Sequence, residues 1–429
     1  MKYKKSMYNN FICHRDNGDG LFYNSSTGAI AWLKKDVIQA LDNNKIEQVD
    51  FTLIENLEKN GFITKNTIDE YARYVYKSNE FKMECNSDSV AYIISLTEFC
   101  NLKCIYCFEK DTTKTMVDSK TLDAIYDFIV SQIELNNKKK LRITWFGGEP
   151  MLAYEKLIQL SKRIILYCKE KGIEYIASMI TNGTLLDTEV INNLVLNHYL
   201  KNVQITLDGE DETYCYYKKA TIDEYEKVIE NIFLLSEIED VNLTIRLNTC
   251  AENCESLMKV VELLTSDSRF KGYIYAGRMM NYDNDCFEEI SESSFQCFEK
   301  ELEKFSLNYE ETKRIIKQRL KPKGANCGSL ACNRCLIDSH GNLYRCEHHI
   351  GDINYVIGDV INGFYRNKVD NLFLFAEYPE ECSKCSLFPV CLGGCTSDRI
   401  IYNKRIDCKV FRTNIHRYVK YCVGIQDLE

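Results

Sequence analysis

The chain has 429 residues, 45% hydrophobic and 27% charged, a globular composition with material for a sizeable core and length for roughly three domains. Its net charge of −9 argues against a protein that tracks nucleic-acid phosphates. There is no apolar run long enough to span a membrane, and the basic N-terminus lacks an apolar h-region; neither membrane insertion nor secretion is expected, and a cytoplasmic location is. In that reducing compartment the 21 cysteines are better explained by metal or iron–sulfur ligation than by disulfides. Oxygen-sensitive centres of that kind suit an anaerobic host.

Residues 1–80 read as a small unit of their own. The stretch "GLFYNSSTGAIAWL" predicts a β-hairpin around an Asn-Ser-Ser-Thr-Gly turn. "KKDVIQALDNN" and "FTLIENLEKNGFI" predict two short amphipathic helices, the second stopped by Gly61. On pattern alone this is a helical appendage capping the next domain. Residues 88–285 alternate strands with helices. The strands are "AYIISLTE", "LRITWFGG", "YIASMITNG", "VQITLDG", "LTIRLNT" and "GYIYAGRMM". One intervening helix places Leu122, Ile125, Ile129 and Ile133 on a single face, and the next does so with Leu157, Leu160, Ile164 and Tyr167. Such alternation predicts an α/β fold with a parallel sheet, and six strands make a partial (β/α)6 barrel open on one side. Residues 286–325 form a polar, charged helical bridge. Residues 326–429 change texture, with nine cysteines between positions 327 and 408, and read as a ligand-stapled domain.

The first strand is followed by "EFCNLKCIYCFEK", in which Cys100, Cys104 and Cys107 have the spacing Cys-x3-Cys-x2-Cys. It falls at the C-terminal end of the barrel, where barrel active sites sit. Three thiolates can hold three irons of a [4Fe–4S] cube and leave the fourth iron free for a small molecule. Asn101 and Lys103 read as turn and surface residues, and Tyr106 as a ring that packs over a bound aromatic group. The alternative is a zinc knuckle.

These residues resemble the signature of the radical S-adenosylmethionine (SAM) superfamily, Cys-x3-Cys-x-aromatic-Cys. The resemblance implies that SAM is chelated at the open iron and that its cleavage yields a 5′-deoxyadenosyl radical. It further implies that Gly147, Gly148, Glu149 and Pro150 ("GGEP") hold the SAM amino group. Thr181 and Asn182 of "TNG" belong to the same cofactor site. "TLDG", Thr206 to Gly209, ends the next strand, and Arg246 and Asn248 of "IRLNT" contact the SAM carboxylate and ribose.

The later cysteines, in "CGSLACNRCLIDSHGNLYRC" and "CSKCSLFPVCLGGCTSDRIIYNKRIDC", resemble the SPASM extension of radical SAM enzymes, which binds two auxiliary [4Fe–4S] clusters. Position by position, Cys382, Cys385, Cys391 and Cys408 match the distal cluster. Cys327, Cys332, Cys346 and Cys395 match the proximal one. Cys335 departs from the pattern and leaves Cys332 versus Cys335 open, as well as whether that cluster has an open iron. A pair of zinc ribbons is the alternative for this block. The cysteines at 13, 85, 168, 215, 250, 254, 286, 297 and 422 lack cluster spacing and read mostly as small buried hydrophobes.

The N-terminal hairpin and helices resemble the winged-helix RiPP recognition element, which captures leader peptides by strand addition. Together the segments resemble the sactipeptide and ranthipeptide maturases. That resemblance implies thioether bonds installed in a ribosomally made precursor with a leader and a cysteine-rich core, and an external electron donor such as flavodoxin or ferredoxin. Two rival enzymes are an anaerobic sulfatase-maturing enzyme, in which an Asp follows the cysteine matching Cys346 where this chain has Glu347, and a carbon–carbon peptide crosslinker. A non-catalytic iron–sulfur carrier is the rival outside enzymes; it needs neither GGEP nor an open iron.

Overall fold

The computed structural model describes residues 2–83, 88–109, 113–281, 286–305 and 309–425. Two compact units emerge, and neither is continuous in sequence. One comprises residues 1–84, 308–332 and 372–429; the other comprises residues 85–307 and 333–371. Residues 1–80, expected as a unit of their own, therefore share theirs with the last cysteine-rich segment. The bridge of residues 286–325 and the segment 326–429 are each divided between the two units. Among the described residues no helix is long and apolar enough to cross a membrane.

The first unit opens with β1 (Tyr3–Lys5), β2 (Asn9–His14), β3 (Gly20–Asn24) and β4 (Ala29–Leu33). Then come α1 (Lys35–Asp42), α2 (Phe51–Lys59), β5 (Ile63–Lys65) and α3 (Glu70–Met83). The expected hairpin is β3–β4, to which β2 adds an antiparallel third strand, while β1 pairs with β5. Gly28 closes the hairpin turn at φ +78°, donating its N–H to the Asn24 carbonyl at 2.8 Å. The strand period of two sorts the side chains onto two faces. Phe22, Ala29, Ala31 and Leu33 pack with Val37, Leu41 and Leu57 of α1 and α2. Leu21, Tyr23, Ile30 and Trp32 pack with Ile316 of the helix Tyr309–Arg319, Leu320 just after it, and Ile415 and Val419 of the helix Cys408–Cys422. The sheet is thus a middle layer, which is why every residue of β3 is buried.

The second unit is built on β6 (Ser89–Ser95), β7 (Lys140–Phe146), β8 (Glu174–Thr181), β9 (Leu200–Leu207), β10 (Asn242–Thr249) and β11 (Tyr273–Arg278), parallel and paired in chain order. The crossovers run through α4 (Ser119–Leu135), α5 (Tyr154–Lys171), α6 (Thr188–His198), α7 (Asp211–Lys218), α8 (Ile222–Ser236) and α9 (Cys254–Ser266). Three of their starts are capped by side chains: Asp118 for α4, Asp187 for α6, and a Thr221–Glu224 capping box for α8. Val203, Ile205 and Leu207 of β9, with Leu243, Ile245 and Leu247 of β10, are buried in the aliphatic core with the helices. The alternate positions, Gln204, Thr206, Arg246 and Asn248, are polar and point to the other face.

The sheet does not end at β6. Its edge is continued in parallel by β12 (Cys335–Ile337), then antiparallel by β13 (Asn342–Tyr344), β14 (Gly358–Asp359) and β15 (Gly363–Phe364). Part of the cysteine-rich segment thereby protects the barrel edge that the six-strand reading left bare.

Candidate active site

The triad loop leaves β6 and is clamped by backbone on two sides. Gly148 N–H donates to the Thr97 carbonyl at 3.0 Å and Glu149 N–H to that of Phe99 at 2.9 Å. From the other direction, Lys103 and Ile105 N–H donate to the carbonyls of Lys218 and Tyr217, at 3.3 and 3.0 Å. The two glycines are dictated by this approach. Gly147 has φ +128°, and a Cβ there would stand 2.4 Å from the Thr97 oxygen; a Cβ on Gly148 would stand 2.3 Å from the Phe99 oxygen. Gly148→Ala therefore forces the backbone just before Cys100 to move. Iron bound at the triad should fall by about tenfold or more relative to wild type. Near-wild-type triad iron by chemical assay and electron paramagnetic resonance would show that the loop accommodates the methyl group.

The three thiols lie within electrostatic reach of one another. Burial pushes Cys100 up to about 11 and Cys107 up to about 12, each also feeling Cys104. Cys104 is raised by burial, against the opposing pull of the Lys218 ammonium. A thiolate trio in a poorly hydrated loop suits a cationic iron centre, which deprotonates its ligands on binding. Among the described residues, no three His, Cys, Asp or Glu side chains already converge tightly enough to grip a single ion.

Glu149 is fully buried. Its carboxylate accepts from Met151 N–H at 3.1 Å, the Thr181 hydroxyl at 2.7 Å and Asn182 N–H at 2.8 Å. Burial raises its pKa, and these donors pull against the rise. GGEP and TNG are thus locked together, and both Glu149 oxygens are engaged by protein donors. Pro150 opens the short turn Pro150–Ala153 behind them. Asn182 continues the chain of contacts, its amide donating to Asn101 Oδ1 at 2.9 Å and lying 3.8 Å from the Cys100 sulfur. Asn101 in turn donates to the Thr184 hydroxyl at 2.9 Å. Exposed as expected, it also ties the triad loop to the end of β8.

On the other side Tyr106 is held by its hydroxyl, which donates to Asp208 Oδ1 at 2.8 Å and accepts from Asn248 Nδ2 at 3.0 Å. Asn248 Oδ1 accepts from Arg246 Nε at 2.9 Å. Asp208 faces the Lys218 ammonium at 3.2 Å, and Lys218 also donates to the Thr206 hydroxyl at 2.6 Å. One network therefore joins Arg246, Asn248, Tyr106, Asp208, Lys218 and Thr206, the ends of β9, β10 and α7. Arg246 lies across Gly277 of β11, where a Cβ would come within 2.7 Å of its Nε. Lys218 and Gly277 carry no motif in the sequence; Asp208 stands inside TLDG, whose polar residues equally suit turn and capping roles.

In the first unit the distal candidates gather. Cys382 feels the charges of Cys391, Cys385 and Cys408, and Cys408 that of Cys385. Burial raises Cys391, opposed by N–H groups of Gly394 and Gly393, which hold left-handed φ values of +77° and +73°. Four thiols with backbone donors toward one sulfur fit a [4Fe–4S] cluster. Cys395 lies near Cys327, and Asn326 donates to the Gly394 carbonyl beside them. Cys332 is buried, its thiol 3.5 Å from the Met83 carbonyl. Cys335 is built into β12, 2% exposed, packed in the aliphatic core that holds Tyr92 and Ile337. Cys346 follows β13 in the barrel unit. Of the cysteines without cluster spacing, Cys168, Cys250 and Cys422 are buried and Cys297 is exposed, while Cys85 lies outside the described residues.

Residues 94–263 match the model of the Radical SAM superfamily. A cysteine-type anaerobic sulfatase-maturating enzyme of Clostridium perfringens is 24% identical over 331 residues, 69% of this chain and 85% of that one. The radical SAM cyclopropyl synthase TigE of Paramaledivibacter caminithermalis is 24% identical over 264 residues, 54% of each chain. Among solved structures, native anSMEcpe with bound AdoMet and Cp18Cys peptide aligns with a TM-score of 0.62 at 19% identity, covering 79% of this chain and 100% of that one. Streptococcus suis SuiB bound to S-adenosylmethionine aligns with a TM-score of 0.52 at 15% identity, covering 91% and 95%. The matched segment starts in β6, ends in α9 and contains the cysteine triad, GGEP, TNG and the polar network, and this part of the chain is a radical SAM domain.

Proposed function

We propose that the chain is a cytoplasmic peptide maturase that binds a ribosomally made precursor and installs thioether crosslinks between cysteine sulfur and carbon. The observation that carries this reading is the N-terminal three-stranded sheet. Its β4 edge pairs with no other strand among the described residues, and an extended leader adds there as a fourth strand. The likeness to the SuiB fold, over 91% of the chain against 79% for anSMEcpe, is in keeping with a segment beyond the sulfatase-maturase fold. In this reading Cys100, Cys104 and Cys107 hold the cluster that, with SAM, supplies the 5′-deoxyadenosyl radical. Arg246 and Asn248 orient the SAM carboxylate and ribose, and Tyr106 fixes Asn248. Glu149, Thr181, Asn182 and the Gly147–Gly148 backbone shape the wall beside it. Two auxiliary [4Fe–4S] clusters sit at Cys382, Cys385, Cys391, Cys408 and at Cys327, Cys332, Cys346, Cys395. Cys335 is packed into β12 within the aliphatic core, whereas Cys332, equally buried, is not among that core's residues, which favours Cys332. A flavodoxin or ferredoxin supplies the reducing electron.

A thioether forms with net loss of two hydrogens from the peptide, one leaving as an atom to the deoxyadenosyl carbon and one as a proton, with an electron passed to an acceptor. Mass spectrometry of a co-expressed cysteine-rich precursor after thiol alkylation is therefore the test. The expected product has lost two hydrogens per ring and retains sulfur, and its crosslinked cysteine resists the reagent. The sulfatase-maturating relatives give one competing outcome weight: a cysteine converted to an aldehyde with loss of sulfur would replace this reading with formylglycine formation. Loss of hydrogens with every cysteine still alkylated would point to a carbon–carbon crosslink.

A further inference from the structure

The N-terminal sheet does more than sit in the same unit as the distal cysteines. Asn10 of β2 is 3% exposed, and its amide donates to the carbonyls of Tyr8 at 2.9 Å and Ser386 at 3.2 Å. Its side-chain oxygen accepts from the Ser386 hydroxyl at 2.6 Å and from Arg412 at 3.3 Å. Ser25, fully buried just after β3, donates its hydroxyl to the same Ser386 carbonyl at 2.5 Å. Ser386 directly follows Cys385, and Arg412 lies one helical turn beyond Cys408. The sheet thus grips the segments that carry two of the four distal thiols. An aromatic layer reinforces the grip: Phe388 packs on Tyr71 and Tyr74 at ring separations of 4.9 and 6.0 Å, and Tyr74 on Tyr8 at 5.9 Å, beside Cys382 and Cys385.

From this geometry we propose that metal loading at Cys382, Cys385, Cys391 and Cys408 and peptide capture by the N-terminal sheet are coupled, with Asn10, Ser25 and Ser386 as the positioning residues. The proposal rests on the reading of that sheet as the leader-binding surface. The segment 382–391 is short helical turns and loop, and metal binding to such a segment is linked to its folding. Once Cys385 is fixed, Ser386 is fixed, and the buried partners on β2 and β3 hold the sheet in the form that accepts a strand. Coupling between two sites is reciprocal, so a bound leader also slows loss of the distal metal. A chain without its distal cluster then captures precursor poorly and does not sequester it unproductively.

Hydrogen exchange on the full reconstituted chain tests the coupling without any peptide. Relative to wild type, Cys382→Ala/Cys385→Ala should exchange the amides of β2–β4 about tenfold faster, with β6–β11 unchanged. Unchanged protection in β2–β4 overturns the proposal. Because loss of a cluster can also loosen the whole unit, a milder variant is needed. Ser386→Ala should lose distal iron to a ferrous chelator about tenfold faster, with triad iron unaffected, and Ser386→Thr, which keeps the hydroxyl, should restore the wild-type rate. Equal rates for Ser386→Ala and wild type overturn it as well. Failure of the leader reading is separately visible: metal-dependent exchange persists, yet added precursor peptide leaves the sheet unprotected.

Discussion

Replacing Cys100, Cys104 and Cys107 together by alanine abolishes reductive cleavage of SAM: with dithionite no 5′-deoxyadenosine forms, while iron at the auxiliary cysteines is retained. The loss should be complete because uncatalysed cleavage offers no comparable route and three alanines leave no thiolate to hold iron. The fold should survive. The loop is fixed by backbone hydrogen bonds from Lys103, Ile105, Gly148 and Glu149, none of which involves a thiol. The thiols themselves are half-buried and costly to ionise without a metal, with Cys107 pushed up to about 12, so alanine removes groups that behave as small apolar side chains. Chromatographic detection of 5′-deoxyadenosine, iron counting and circular dichroism on one sample separate the cases. Turnover by the triple variant would place the radical site elsewhere; loss of all iron together with unfolding would show that the triad is structural.

The barrel strands were legible because they carry a period of two, which β7, β8 and β9 combine with a glycine turn motif at the C-terminal end, and Leu122, Ile125, Ile129 and Ile133 marked α4 by their spacing. Helix α3 was not legible. Its buried stripe is Tyr74, Ser78 and Lys82, polar residues whose side chains bond the carbonyls of Lys323, Gly324 and Leu374. A hydrophobic pattern cannot reveal a face that is buried by hydrogen bonding. The short strands β12–β15 were lost for a related reason: two or three residues carry no period, and β12 gains its meaning only from β6 beside it. At the site, cysteine spacing and glycine motifs exposed the triad and GGEP, since those residues have few other uses in that order. Glu149 was read as a cofactor contact, and the structure shows both its oxygens engaged by protein donors. Lys218 left no trace, because one lysine among the polar residues ending α7 looks like any solvated helix end.

That lysine carries the second large effect. Lys218→Ala should destabilise the protein by about 3–5 kcal/mol, the usual cost of removing one partner from a buried ion pair. The side chains of Lys218 and Asp208 are 4% and 0% exposed, and their charged atoms lie 3.2 Å apart. Burial alone would lower the lysine pKa; the Asp208 carboxylate reverses the sign and holds the ammonium well above its ordinary range. With a folded pKa above the unfolded one, the pair's contribution is full at neutral pH and is lost only as pH rises beyond the ordinary lysine range. Removing the ammonium leaves Asp208, fully buried, with the Tyr106 hydroxyl as its remaining donor on Oδ1. Neutralising both partners removes the stranded charge. Lys218→Met/Asp208→Asn keeps an acceptor for Tyr106 and should recover more than half of the lost stability in a denaturant double-mutant cycle. A small deficit for Lys218→Ala would mean that water reaches Asp208 once the lysine is gone. The network linking Tyr106 to Asn248 and Arg246 would then stand without its buried pair.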